Sequence, residues 1–299
     1  MPVVMNQIAI RKITNSLDKI SSRIEMDRLS PFFAHFTLSA RVFYSGRLCG
    51  ASSDHKDQNT GYLHVVRRGT FKVIQPNRKP VVIGEPSVLL FPRPRNHRLW
   101  ADETTGADIV CAAVEFGSGM VNPLVQTLPD VFTVPLKSVP ELAPTIDLLF
   151  AEAFGDRLGR QAAVDRLTEY FLILLLRSAI KAELIKGGVL LGLADARLAN
   201  AISAIHDRPE HPWSLEELAN AAGISRARFA VHFRNVVGVT PFDYLVDWRI
   251  GVAQSLLKRG QPLKIVAPSV GYASSAALTR AFNQRIGLSP KAWLRYNQV

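Results

Sequence analysis

The chain has 299 residues, 47% of them hydrophobic, with 36 Lys+Arg against 25 Asp+Glu and a formal net charge of +11. That length allows two domains with cores of their own, and that hydrophobic content excludes wholesale disorder. Two cysteines, Cys49 and Cys111, exclude a disulfide framework and a four-thiolate zinc site, and the most apolar run, Phe171 to Leu176, is too short to span a bilayer. The charge is unevenly placed. From Leu218 onward 11 Lys/Arg stand against two acids, Asp243 and Asp247, whereas the preceding 217 residues have a surplus of only two basic residues. A basic C-terminal quarter on a nearly neutral body is the footprint of polyanion binding. Met1 to Ile10 lacks the basic start and long apolar core of a leader peptide, which points to a cytoplasmic protein.

In chain order, residues 1–26 carry little pattern and read as a flexible tail, and Asp27 to Phe36 as a short amphipathic helix. From Ala40 the texture changes to short β-like runs, ARVFYSG, GYLHVVRRG, TFKVIQ, PVVI, PSVLLF, NHRLW and DIVCAAVEF, broken by Pro76-Asn77, Gly84 and Pro92 to Pro94. So many strands before Phe116 predict an antiparallel sandwich or small barrel. Helices follow at Met120 to Leu128, Val139 to Phe154 and Arg160 to Leu184. In the last of these Val164, Leu167, Phe171, Leu174 and Ser178 form a seam, while Tyr170, Leu172, Ile173, Leu175 and Leu176 fill other faces. A helix apolar all round is buried on more than one side, either within one chain or against a second subunit in a homodimer. Lys186 to Gly192 marks the domain boundary, with residues 188–194 as linker.

The remainder, 195–299, reads as seven helices. Asp195 to Asp207 is the first, and Ser214 with Glu217 opens the second in a capping box beside a staple from Trp213 to Leu218. In GISRARFAVHFRNVVGVTP, Gly223 turns the chain, Ser225 is an N-cap candidate, Phe229 and Phe233 share a face, Gly238 stops the helix and Thr240-Pro241 starts the next. That next helix runs from Pro241 to Arg259, with Thr240 and Asp243 as another capping box. The skeleton recurs 49 residues on, where Phe229, Phe233, Gly238, Thr240 and Pro241 map onto Leu278, Phe282, Gly287, Ser289 and Pro290. The second unit comprises Leu263 to Val270, a turn at Gly271, Ser274 to Ile286 and a closing helix from Pro290. Pro268 inside its first helix removes a backbone donor and predicts a kink.

The stretches SLEELANAAGISRARF, GVTPFDYLVDWRI, VGYASSAALTRAF and GLSPKAW resemble the DNA-binding domain of the AraC/XylS family of bacterial transcription regulators. RVFYSGRLCG, YLHVVRRGTF, PSVLLFPRPRNHRL and IVCAAVEF are similar to the cupin-type sensor of one branch of that family. The resemblance implies a double helix-turn-helix on double-stranded promoter DNA, a small-molecule effector, and contact with RNA polymerase as a plausible further step.

In a helix-turn-helix the second helix lies in the major groove while the first braces it. The outward face of the first recognition helix is then Arg226, Ala227, Ala230, Val231 and Arg234, with the arginines suited to phosphates and the rest to apolar contact. That of the second is Ser275, Ala276, Arg280 and Asn283. Arg280 matches a family position that commonly touches a base, and arginine can grip guanine through both ring-edge acceptors. In the barrel, Tyr62, His64, Phe71 and His97 are candidate effector-pocket residues. His64 and His97 alone make a poor transition-metal site, so no metal or cofactor is expected. Cys49 and Cys111 fall in predicted strands as buried small residues, with an oxidant-sensing pair as the alternative.

The sequence therefore predicts an α+β protein of two domains, a cupin-like antiparallel barrel or sandwich with a helical hairpin followed by an all-α double helix-turn-helix. The expected function is sequence-specific transcription regulation with a sensor for a small molecule or redox signal and no enzyme activity. The rival reading is a metal-dependent cupin enzyme fused to a DNA-binding domain.

Overall fold

The computed structural model describes residues 28–53, 60–117, 122–182, 184–185 and 187–296. The tail predicted at 1–26 lies outside them. A short helix, α1 (Ser30–His35), leads into β1 (Leu38–Leu48), β2 (Gly50–Ala51), β3 (Gly61–Arg68), β4 (Phe71–Ile74), β5 (Val81–Ile83), β6 (Ser87–Phe91), β7 (Arg98–Ala101) and β8 (Ala107–Phe116). After α2 (Pro123–Thr127) comes β9 (Phe132–Pro135). All pairings are antiparallel, in a five-stranded sheet ordered β1-β8-β3-β6-β9 and a four-stranded sheet ordered β2-β7-β4-β5. The seven strands expected from alternation are all present. β2 and β9 are additions: two residues carry no period, and the buried Phe132 and Val134 of β9 alternate only once before Pro135 closes the run.

Side-chain alternation sorts the five-stranded sheet into two buried faces. Tyr62, Val66, Leu89, Phe91, Ile109 and Cys111 face Phe71, Val73, Leu99 and Ala101 of the other sheet, forming the sandwich interior. Leu63, Val65, Val88, Leu90, Val110 and Ala112 face the opposite way, into a core with α3 (Ala143–Ala153) and α4 (Arg160–Lys181). This is why β3 and β6 read as continuous apolar runs and not as alternating ones. α4 also covers the open edge of β1. Asp165 Oδ1 accepts from the Val42 backbone N–H at 2.7 Å and Gln161 Nε2 donates to the Val42 carbonyl at 2.8 Å. These bonds satisfy backbone groups that an exposed edge strand would offer to other chains. Of the predicted seam, Val164, Phe171 and Ser178 are buried and Leu167 and Leu174 half-buried; Tyr170, on another face, is exposed.

The helical half comprises α5 (Val189–Ala194), α6 (Leu198–Asp207), α7 (Leu215–Ala221), α8 (Arg226–Val237), α9 (Pro241–Lys258), α10 (Leu263–Ser269), α11 (Ser275–Ile286) and α12 (Pro290–Tyr296). The capping box is formed, with the Ser214 side chain accepting from the Glu217 backbone and the Glu217 carboxylate accepting from the Ser214 backbone. The backbone bond from Ser214, with help from its hydroxyl and His211, pulls the Glu217 pKa down to about 2. Thr240 caps α9 by accepting from the Asp243 backbone N–H, and its hydroxyl lies 2.6 Å from the Asp243 carboxylate. Pro268 sits in the last turn of α10, one residue before its end, so the intrahelical bond it removes is the one to the Lys264 carbonyl.

The two halves share buried contacts. Phe32 and Phe36, at and just beyond α1, place their rings 5.5 Å and 5.0 Å from that of Trp248 on α9. His206 on α6 stacks on the same indole at 3.6 Å. Gly251 makes the approach possible, because a Cβ there would lie 2.5 Å from Phe36 Cε1. Arg259 Nη2 donates to the Ala34 carbonyl at 3.1 Å, and Arg28 Nη1 to the Leu193 carbonyl at 3.1 Å. The apolar stretch Val189 to Leu191 docks as α5, where Gly192 packs against Ile202 and Val237.

Candidate nucleic-acid interface and sensor site

The 49-residue repeat is a repeat of structure. α8 and α11 have 12 residues each and end on left-handed glycines, Gly238 with φ 90° and Gly287 with φ 78°. Phe229, Phe233, Leu278 and Phe282 are fully buried. Ser289 accepts from the Ala292 backbone N–H at 3.2 Å, as Thr240 does from Asp243. One N-cap differs from expectation. Ser225 has the extended backbone of an N-cap but its hydroxyl makes no capping bond, whereas Ser274, at the same place in the second unit, accepts from the Ala277 N–H at 3.2 Å.

The predicted readers turn outward. Arg226, Ala227, Val231 and Arg234 on α8 are exposed, and Ala230 is half-buried. On α11, Ala276, Arg280 and Asn283 are exposed and Ser275 is half-buried. Val231 shows 62% of its surface to solvent, a high value for an apolar side chain. Among the described residues, Arg280 has no hydrogen bond or ion pair to the rest of the chain. Its neighbour Arg285 is committed, pairing with Asp243 Oδ1 at 2.6 Å and Asp247 Oδ1 at 3.3 Å on α9. Three polar groups that hold the units were not singled out from sequence. They are Arg285, Arg249 (whose bonds run to the α6–α7 loop) and His232, which contacts Asp195 Oδ2 at 2.9 Å. Each lies inside a recognisable helix, but its partner is 37 to 42 residues away, beyond the reach of any local spacing rule.

In the sandwich, Tyr62, His64, Phe71 and His97 are all buried. His64 Nε2 lies 2.8 Å from His97 Nε2, and His97 Nδ1 lies 2.8 Å from the Arg95 carbonyl. A carbonyl only accepts, so His97 carries its proton on Nδ1 and its Nε2 accepts from His64 Nε2–H. The His97 ring also stacks on Phe91 at 3.9 Å, and Tyr62 stands edge-on at 5.3 Å. Two imidazole nitrogens are fewer than the three or four protein ligands that a zinc ion ordinarily takes. Among the described residues no group of three His, Cys, Asp or Glu is placed to hold a metal ion.

The two cysteines part company. Cys111 is buried in β8, and burial pushes its thiol pKa up. Cys49 is exposed and lies between β1 and β2, not within a strand, which corrects the expectation of a buried residue. Tyr44, not Cys49, stands opposite Cys111 in the ladder. Five further residues of strand place the cysteines roughly 17 Å apart along β1, beyond the roughly 6 Å Cα separation of a disulfide.

With this geometry in hand, comparison with known proteins is specific. A cupin family model matches residues 27–181, and a helix-turn-helix domain model matches residues 218–296. A putative AraC-like transcription regulator of Streptomyces lividans is 30% identical over 258 residues, spanning 76% of this chain and 84% of that protein. The chain belongs to the AraC family of transcription regulators. An uncharacterized helix-turn-helix regulator of Haemophilus influenzae is 29% identical over 81% of this chain and 88% of its own. Among solved structures, ToxT of Vibrio cholerae O395 aligns over 88% of this chain and 98% of its own, with 15% identity and a TM-score of 0.39. As an AraC-family regulator the chain joins a cupin half to a DNA-binding, helix-turn-helix half. No helix among the described residues is long and apolar enough to cross a membrane.

Proposed function

We propose that this regulator reads promoter DNA chiefly through α11, with Arg280 as its base-reading residue. The observation that carries this is the division of labour on one helix: Arg285 is tied to Asp243 and Asp247, while Arg280 is exposed with no partner among the described residues. Asn283, Ser275 and Ala276 complete that face. Arg226 and Arg234 contact phosphates on either side of Ala227, Ala230 and Val231. The working division is a sensor and dimerisation region at 27–187, a linker at 188–194 and a DNA-binding region from 195. The protein acts as a cytoplasmic homodimer joined along the Tyr170 side of α4, and does so without enzymatic turnover. Effector recognition belongs to the sandwich interior around Tyr62, His64, Phe71 and His97, and RNA polymerase is the downstream partner. Names of relatives support a regulator over an enzyme. The test is binding of the full chain to duplexes selected from a random pool. Arg280→Ala should weaken the selected site more than random DNA; equal losses would reduce Arg280 to a phosphate contact.

A further inference from the structure

We infer that Arg249 is the positioning residue that fixes the two recognition helices relative to each other, and so sets the spacing between half-sites that the protein accepts. The inference rests on the DNA-contact reading above.

Arg249 lies near the middle of α9, the helix that joins the two helix-turn-helix units. Its Nε donates to the Pro209 carbonyl at 2.6 Å and its Nη2 to the His211 carbonyl at 2.7 Å. Both carbonyls belong to the loop between α6 and α7, which leads into the bracing helix of the first unit. The same guanidinium lies against the turn of the second unit. A Cβ on Gly271 would stand 2.6 Å from Arg249 Nη2 and 2.9 Å from the Glu210 carbonyl oxygen, and the guanidinium carbon is 5.9 Å from the Tyr272 ring centre. One side chain thus touches the loop before one unit and the turn within the other.

The repeat supplies an internal control. Gly223, the turn glycine of the first unit, has φ 66° and nothing within 4 Å of its Cβ position, so its conformation alone calls for glycine. Gly271 has φ 80° and, unlike Gly223, no room for a Cβ. The close approach is therefore a property of the Arg249 pin and not of the motif. Arginine suits the position because its planar fork satisfies two carbonyls from one rigid group, which lysine cannot do. Arg285, pairing with Asp243 and Asp247, makes a second tie between α11 and α9. The first unit is held on the same helix through Phe233 and Tyr244, whose rings are 5.8 Å apart.

With both units pinned to α9, the recognition helices meet successive grooves at one helical phase. Half-sites one turn apart are separated by about 10–10.5 base pairs, so each inserted pair rotates the second site by about 34°. A rigid protein cannot follow that rotation, and a protein with a loosened pin can.

The experiment uses the full chain and the bipartite duplex it selects from a random pool, with zero or one base pair inserted between the half-sites. The wild type should lose at least about tenfold in affinity on insertion, the equivalent of one or two lost base contacts. Arg249→Met keeps an apolar stem without the fork, and should cut that insertion penalty to below about threefold, with the uninserted site weakened and the helical circular dichroism retained. Arg249→Lys keeps charge and stem and carries the same expectation, so a poorly folded Arg249→Met leaves the inference testable. Retention of the full insertion penalty by a folded Arg249 variant would overturn it, as would a wild type that selects one half-site only. Selection of no site at all would instead overturn the DNA-contact reading beneath it.

Discussion

On the first recognition helix the turns between Arg226 and Arg234 carry Ala227, Ala230 and Val231; on the second the matching turns carry Ala276, Thr279 and Arg280. Val231 and Arg280 occupy one position of the repeat, 49 residues apart, and both are exposed. The skeletons are the same, down to helix length and the left-handed glycine stops. The difference lies in chemistry at the surface and in how each helix begins, since Ser274 caps its helix and Ser225 does not. The comparison teaches that the duplicated scaffold and the reading of DNA are separable. Core positions such as Phe229 and Leu278 keep the fold, and outward positions are free to diverge.

The largest effect that can break this comparison is loss of a shared core residue. Phe233→Ala and Phe282→Ala should each destabilise their unit by about 3–5 kcal/mol, measured by urea unfolding. Phe233 should be the costlier site, because its ring packs on both Phe229 and Tyr244 while that of Phe282 stands edge-on to Trp293. Arg280→Ala should lower affinity for the selected site by about 1–3 kcal/mol, whereas Val231→Ala should change it by less than about 1 kcal/mol. Anisotropy titrations would check this, and equal losses would erase the proposed asymmetry.

Acid should separate the units differently. His206, buried under the first unit against Trp248 and Tyr244 with no counterpart in the second, has its pKa lowered to about 3, first by burial and then by His35. Above the ordinary histidine pKa of about 6.5 the residue is neutral in both states and its contribution is intact. As pH falls below that value, the unfolded chain takes up a proton that the folded chain refuses. Stability should therefore decline by about 1.4 kcal/mol per pH unit from this group, until its folded pKa is reached. Urea midpoints between pH 7 and pH 5 should show this slope in the wild type and a slope shallower by one proton in His206→Gln. An unchanged slope would remove His206 as its source. The smallest effect compares caps: Ser274→Ala should cost about 1 kcal/mol and Ser225→Ala only a few tenths, read from thermal unfolding.

Much of the helical half was legible because its signals are local. Ser214 with Glu217, Gly238, Thr240-Pro241 and Gly287 specify helix ends within four residues, and each stands where the sequence puts it. Ser225 was misleading for the same reason, since the residue type suits a cap but the hydroxyl makes no such bond. In the cupin half, period-two runs predict seven strands but not β2 or β9, which are too short to show a period. Cys49 looked buried because RLCG continues an apolar strand, yet β1 ends at Leu48. The pairing of His64 with His97 joins residues 33 apart across the two sheets, and Arg249 reaches its carbonyls across about 40 residues. Such contacts are made by packing, so no spacing announces them.

The most direct test of the account is base-resolution mapping of the selected duplex with wild-type protein and Arg280→Ala side by side. Sequence preference should be concentrated in the half-site under α11, and in Arg280→Ala the preference should fade at one guanine there while the other half-site is unchanged. Equal preference in both half-sites, or an unaltered pattern in Arg280→Ala, would contradict the claim that the second unit does most of the reading.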